Sequence, residues 1–133
     1  KAPEATRQTI RNGWFHTGDL GRLDQNGDIY IVGRIKEMIK GGGEIVFEPE
    51  VESAIHKHHE VVEVAVVGVP DKLRGEVPKA FVVLQEASKI SEEDLHYFCR
   101  EHLAHFKIPH YFEFRTSLPK NRTGKIDKEK LRQ

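Results

Sequence analysis

The 133-residue chain has 38% hydrophobic side chains, enough for one compact core with a short extra segment but not for a second full domain. Lys+Arg and Asp+Glu both number 21, so the formal net charge is zero and there is no global basic field to gather nucleic acid. The single cysteine, Cys99, excludes an intramolecular disulfide framework; with no secretory signal and no apolar run long enough to span a bilayer, a soluble cytoplasmic protein is expected. The chain opens at Lys1 without methionine and in polar sequence, and it is expected to belong to something longer.

From Leu20 to Val32 two short runs of alternating apolar residues flank Gln25-Asn26-Gly27-Asp28, which predicts a β-hairpin closed by a type I′ turn at Asn-Gly. The stretch from Gly33 to Gly43 predicts a loop, because three consecutive glycines suit neither a helix nor a strand interior. Pro49 fits the first turn of a helix, and Val51, Ala54 and Ile55 follow at helical spacing, so a helix is predicted from Pro49 to about His58. Val61 to Val69 and Lys79 to Leu84 are β-branched enough to predict two adjacent strands, with turn chemistry between them at Pro70-Asp71 and Arg74-Gly75-Glu76. Ser91 with Asp94 forms an acidic variant of the capping box, and Leu95, Phe98, Cys99 and Leu103 predict a second helix that stops before Ile108-Pro109. Tyr111 to Phe114 predicts a third strand, Ser117 to Gly124 a loop and Asp127 to Gln133 a last short helix. The fold class is therefore α+β: a small β-hairpin segment followed by a compact domain of about three strands with flanking helices.

Three segments are poor choices for fold alone. In Thr17-Gly18-Asp19 a carboxylate beside a glycine can accept hydrogen bonds from a vicinal diol, as acidic residues do for nucleotide ribose; alone it is also an ordinary turn aspartate. In the second, Arg34 offers a planar fork suited to phosphate or ribose oxygens, and Gly41, Gly42 and Gly43 leave the backbone open to a slender ligand. A glycine run of this kind also serves as a flexible linker, and no Walker loop is present. The third runs from Leu118 to Lys125. From Pro119 onward six cationic side chains face two carboxylates; a loop lysine there can bring a point charge to a phosphate, or the segment can be a frayed basic tail. The histidines lack a Cys or carboxylate at ligand spacing, so no metal site is expected, and Cys99 sits on the apolar stripe of its helix as a small core residue.

Together and in this order, Gly13-Trp14-Phe15-His16-Thr17-Gly18-Asp19, Gly33-Arg34-Ile35-Lys36-Glu37-Met38-Ile39-Lys40, Val69-Pro70-Asp71 with Gly75-Glu76 and Pro78, and Pro119-Lys120-Asn121-Arg122-Thr123-Gly124-Lys125 resemble the adenylate-forming superfamily of acyl-CoA synthetases, aryl-CoA ligases, beetle luciferases and peptide-synthetase adenylation domains. The resemblance also takes in Pro3-Glu4-Ala5-Thr6. It implies that residues 1–35 end an amino-terminal domain and that residues 36–133 form the carboxy-terminal lid. It further implies that Asp19 binds the ATP ribose hydroxyls, Arg34 contacts ribose or phosphate, and Lys36 is the hinge between two half-reactions. Lys125 becomes the catalytic lysine of adenylation, and Gly41, Gly42 and Gly43 face the active site when the CoA thiol attacks the acyl-adenylate. The implied enzyme is an AMP-forming acid–thiol ligase using ATP, CoA and a carboxylic, fatty-type acid; magnesium and the acid pocket would lie on the amino-terminal domain, so the chain alone is expected to be inactive. Two positions depart from the family: Ile45 stands where Asn or Gln is common and Glu48 where Pro is common, with Pro49 displaced by one place. The rival functions are a peptide-synthetase adenylation domain and a non-catalytic module that holds nucleotide or a partner.

Overall fold

The computed structural model describes residues 10, 11, 14, 15 and 17–132. Pro3-Glu4-Ala5-Thr6, Gly13 and His16 lie outside the described residues. The chain divides into two compact units, one ending at Glu37 and the other beginning at Met38.

In the first unit, β1 (Ile10–Arg11) pairs antiparallel with β2 (Trp14–Phe15), and β3 (Asp19–Leu23) pairs antiparallel with β4 (Ile29–Arg34). The hairpin is the one expected, but its turn is not type I′. Asp24 Oδ1 accepts the N–H groups of Asn26 and Asp28, both at 2.9 Å, and the Gly27 N–H donates to the Asp24 carbonyl at 3.2 Å. Gly27 alone takes positive φ, +83°, within this turn. The Asp24 carboxylate thus shapes a type I turn ending in a left-handed glycine, which leaves Asn26 no need for the strained conformation.

The second unit is a five-stranded sheet with helices. Strand β5 (Met38–Gly41) and β6 (Glu44–Phe47) form a hairpin, which overturns the expected loop through Gly43. Gly42 and Gly43, at φ +61° and +81°, make the two-residue turn, while Gly41 remains in its strand opposite Gly75 of the next partner. The sheet has five strands rather than about three because this hairpin joins it. The first helix, α1 (Glu48–His56), leads to β7 (Val61–Asp71) and β8 (Gly75–Leu84), which run in an unbroken antiparallel pair from Val64 to Asp71. Pro70 and Asp71 therefore belong to β7, and only Lys72 to Arg74 turn, held by Asp71 Oδ2, which accepts the N–H groups of Leu73 and Arg74. After α2 (Glu92–His102), β9 (Tyr111–Phe114) runs parallel to the middle of β8, and a short α3 (Lys128–Leu131) closes the described chain.

Alternation along β7 and β8 sends side chains to two separate cores. Val64, Val66, Ala80 and Val82 pack with Val51 and Ile55 of α1 and Leu95 and Cys99 of α2. Ala65, Val67, Phe81 and Val83 pack with Leu118 and Leu131 from the end of the chain. Cys99 is fully buried, and burial pushes its thiol up to about 11, which suits a core residue and not a nucleophile.

The expected capping box is present: Asp94 N–H donates to Ser91 Oγ at 3.1 Å, and Ser91 N–H donates to Asp94 Oδ2 at 2.8 Å. That Ser91 N–H is the chief reason the Asp94 carboxyl is held below its ordinary value. A carboxyl with a depressed folded pKa stabilises the fold above its unfolded pKa and loses the contribution as pH falls through the folded value. Asp94→Asn should therefore lower the urea midpoint of the purified chain at pH 7, with the gap to the parent closing in the acid range; a gap that stays constant down to acid pH would contradict the assignment.

Candidate functional site

The first unit brings Asp19 and Arg34 together. They oppose each other in the β3–β4 register, and Arg34 Nε lies 3.2 Å from Asp19 Oδ1. Gly18 at φ +84° turns the chain into β3, Thr17 Oγ1 accepts the Asp19 N–H at 3.2 Å, and the Ile35 N–H donates to the Gly18 carbonyl at 2.7 Å. The carboxylate is thus oriented by local backbone while remaining 24% exposed, and the guanidinium beside it is 53% exposed. Both can turn toward a ligand carrying hydroxyls and anionic oxygens. Lys36 is exposed in a 3-10 turn, Ile35–Glu37, that ends the first unit.

In the second unit the three glycines have different physical reasons. A Cβ on Gly41 would run into the Glu76 carbonyl oxygen, so Gly41 permits a close backbone approach. Around Gly42 and Gly43 a Cβ would meet nothing within 4 Å, and there it is the left-handed backbone that favours glycine. The Gly42 N–H donates to the Arg74 carbonyl at 2.9 Å, so that amide is already engaged. A small cleft beside the turn is lined by Gly41, Gly42, Glu44, Arg74, Glu76 and His110. Partial burial, and then the Arg74 guanidinium, hold His110 below its ordinary imidazole value. Ile45 is half-exposed on β6 opposite Lys40.

Lys125 is exposed, and the segment carrying it is not a frayed tail. Asn121 Oδ1 accepts from the Thr123 N–H at 2.9 Å, the Thr123 hydroxyl at 2.7 Å and the Lys125 N–H at 3.1 Å. The Gly124 N–H donates to the Asn121 carbonyl at 3.0 Å, and Gly124 has φ +85°. This repeats the chemistry of the Asp24 turn: one short side-chain acceptor takes the N–H groups two and four residues on, and a left-handed glycine completes the bend. Below the turn, Lys120 and Ile126 pair as an isolated bridge, and Lys120 Nζ lies 2.7 Å from Glu63. Sequence reasoning singled out Lys125 but missed Asn121, although Asn-x-Thr-Gly carries a readable side-chain-turn signal. It also missed His110, for which no local signal exists.

The sequence model of the AMP-binding enzyme C-terminal domain matches residues 50–125, and the chain belongs to that family. Over 129 residues it is 45% identical to the long-chain-fatty-acid–CoA ligase of Bacillus subtilis, a match that covers 97% of this chain and 23% of that protein. It is 46% identical over 131 residues to the crotonobetaine/carnitine–CoA ligase of Salmonella arizonae, covering 98% of this chain and 25% of that protein. Among solved structures, ATP-bound MatB from Rhodopseudomonas palustris superposes with a TM-score of 0.82 at 39% identity, covering 99% of this chain and 26% of that one. The chain thus spans about a quarter of the length of the relatives it matches. Among the described residues no helix is long and apolar enough to cross a membrane, and no group of three or more His, Cys, Asp or Glu side chains is placed to hold a metal ion.

The different origins of the glycines give a direct stability test. Gly42→Ala should lower the stability of the purified chain by about 1–2 kcal/mol, the cost of left-handed backbone in an ordinary residue. Gly41→Ala should cost more, because strand β5 must move away from Glu76. Equal urea midpoints for the two variants would contradict the close-approach role of Gly41.

Proposed function

We propose that the chain is the carboxy-terminal part of an ATP-dependent, AMP-forming acyl-CoA ligase that activates a carboxylic acid, of fatty type, and passes the acyl group to CoA. The observation that carries the reading is the braced turn that holds Lys125 out at its end. In the first half-reaction a carboxylate oxygen attacks the α-phosphorus of ATP and pyrophosphate leaves. The approach of two anions needs a cation, and the Lys125 ammonium supplies it between the acid and the α-phosphate oxygens. Asp19 accepts hydrogen bonds from the ribose hydroxyls, and Arg34, released from its partly exposed pair with Asp19, donates to ribose or phosphate oxygens.

In the second half-reaction the CoA thiol attacks the acyl carbonyl, AMP leaves with the bonding electrons and the thiol proton is lost. A long, thin thiol arm wants backbone without side chains along its path; Gly42 and Gly43 offer that, and Gly41 completes the loop against the Glu76 backbone. Lys36, one residue before the first unit ends, is the hinge that exchanges the two faces. The domains in this reading are residues 1–35, ending an amino-terminal domain, and the lid 36–133. The amino-terminal domain is the lid's partner and brings the acid pocket and the magnesium site; no magnesium ligand is assigned to this chain, and the chain alone is inactive. The fatty-acid assignment draws on the Bacillus subtilis relative, which is named for a long-chain fatty acid.

In the full-length enzyme Lys125→Ala should slow acid-dependent ATP–pyrophosphate exchange by about 10²–10³-fold, the usual scale for losing one electrostatic stabiliser. Thioester formation from preformed acyl-adenylate and CoA should stay near normal. Equal losses in both steps would remove the adenylation role. Asp19→Ala should weaken ATP binding by about 1–3 kcal/mol, the range for a hydrogen bond to a charged group; unchanged affinity by calorimetry would return Asp19 to an ordinary turn residue.

A further inference from the structure

Glu48 opens α1 directly after strand β6, and its side chain is 2% exposed. Among the described residues it is the one fully buried charged group. Its partners come from the far end of the chain. Lys128 Nζ donates to Glu48 Oε1 at 3.0 Å, and Arg132 Nη2 reaches Oε1 and Oε2 at 3.2 and 2.9 Å. Lys128 also lies 2.7 Å from Glu52 Oε2, which accepts the Val66 N–H of the central sheet at 2.8 Å. Two carboxylates of α1 therefore grip two cations, Lys128 at the start of α3 and Arg132 just after its end, and one of those carboxylates is itself fixed to β7.

The four-residue α3 is far too short to persist in water by itself. The ion cluster and the buried Leu131 hold it down. Lys125 lies three residues before α3. The near side of its turn is fixed by buried Leu118 and by the Lys120–Glu63 pair; the far side is tied to the near one by the Lys120–Ile126 bridge and by the Asp127 N–H, which donates to the Pro119 carbonyl at 2.8 Å, and it then runs directly into α3.

We propose that Glu48 is a positioning residue for Lys125: its ion cluster clamps α3 and so fixes the height and direction of the lysine turn. The inference rests on the reading of Lys125 as the adenylation lysine. A buried carboxylate with two charge-assisted partners cannot slide without leaving charges unpaired, so the clamp is stiff in a way that an apolar contact is not.

The test uses the full-length enzyme. Glu48→Gln keeps the shape of the side chain and removes its charge. It should lower kcat for ATP–pyrophosphate exchange by about 10- to 100-fold, the scale of an ångström-sized misplacement of a catalytic group, with little change in KM for ATP. Thioester formation from preformed acyl-adenylate should remain within about twofold, whereas simple loss of folded enzyme would depress both steps together. Amide exchange should quicken over residues 120–132 and stay unchanged over α2. Should Glu48→Gln fail to fold, Arg132→Gln removes one arm of the clamp from a partly exposed position and should show the same split with a smaller loss. Normal exchange in these variants beside a crippled Lys125→Ala would overturn the positioning role alone. Normal exchange in Lys125→Ala would overturn the underlying reading and this inference with it.

Discussion

Strand β8 has neither a free face nor, through its middle, a free edge. β7 covers one edge along almost its whole length, β9 covers the other from Lys79 to Val82, and β5 touches its first residue at Gly75. Its even-numbered side chains Ala80 and Val82 face the helices, and its odd-numbered side chains Phe81 and Val83 face the end of the chain. Everything proposed to act in this unit is referenced to that strand. The glycine hairpin joins at its start through the Gly41–Gly75 contact, and the lysine segment lies against its odd face through Leu118 and Leu131. A close-packed strand does not deform continuously, so both segments inherit a fixed position relative to one another.

Two kinds of polar device finish what the core begins. Short side-chain acceptors, Asp24, Asp71 and Asn121, each satisfy two or more following N–H groups and set a turn without long-range help. The Glu48 cluster does the opposite, joining residues 80 and 84 positions apart. Burying a carboxylate is costly unless its oxygens are paired, and no buried side-chain nitrogen or oxygen among the described residues lacks a partner. The local devices shape each loop; the distant one decides where a loop stands.

That division also explains what could be read from the sequence. The capping box at Ser91 and Asp94, the β-branched run of β7 and the apolar stripe of α2 depend on near neighbours, and each was legible. The hairpin at Gly41–Gly43 was not, because the run has two causes: Gly42 and Gly43 make a turn, while Gly41 answers to the Glu76 backbone in another strand. The type I′ turn expected at Asn26-Gly27 failed because the Asp24 carboxylate, just outside the pair considered, captured the turn's N–H groups. Among the candidate site residues, motif order pointed to Asp19, Arg34 and Lys125, and the cross-strand register explains why the first two meet. Burial of Glu48 had no local signal at all, since its partners lie at the other end of the chain.

The central proposal is that one lid presents two faces in turn, swinging at Lys36. The most direct test is a distance measured in the full-length enzyme between spin labels at Gln25 in the first unit and Arg122 in the second. Cys99, buried and with its thiol pushed up to about 11, stays out of the labelling. With ATP and a non-reactive acid analogue the distance should settle at one value, and with a stable acyl-adenylate analogue and CoA it should settle at a second. A single distance distribution under both conditions would contradict the alternating lid.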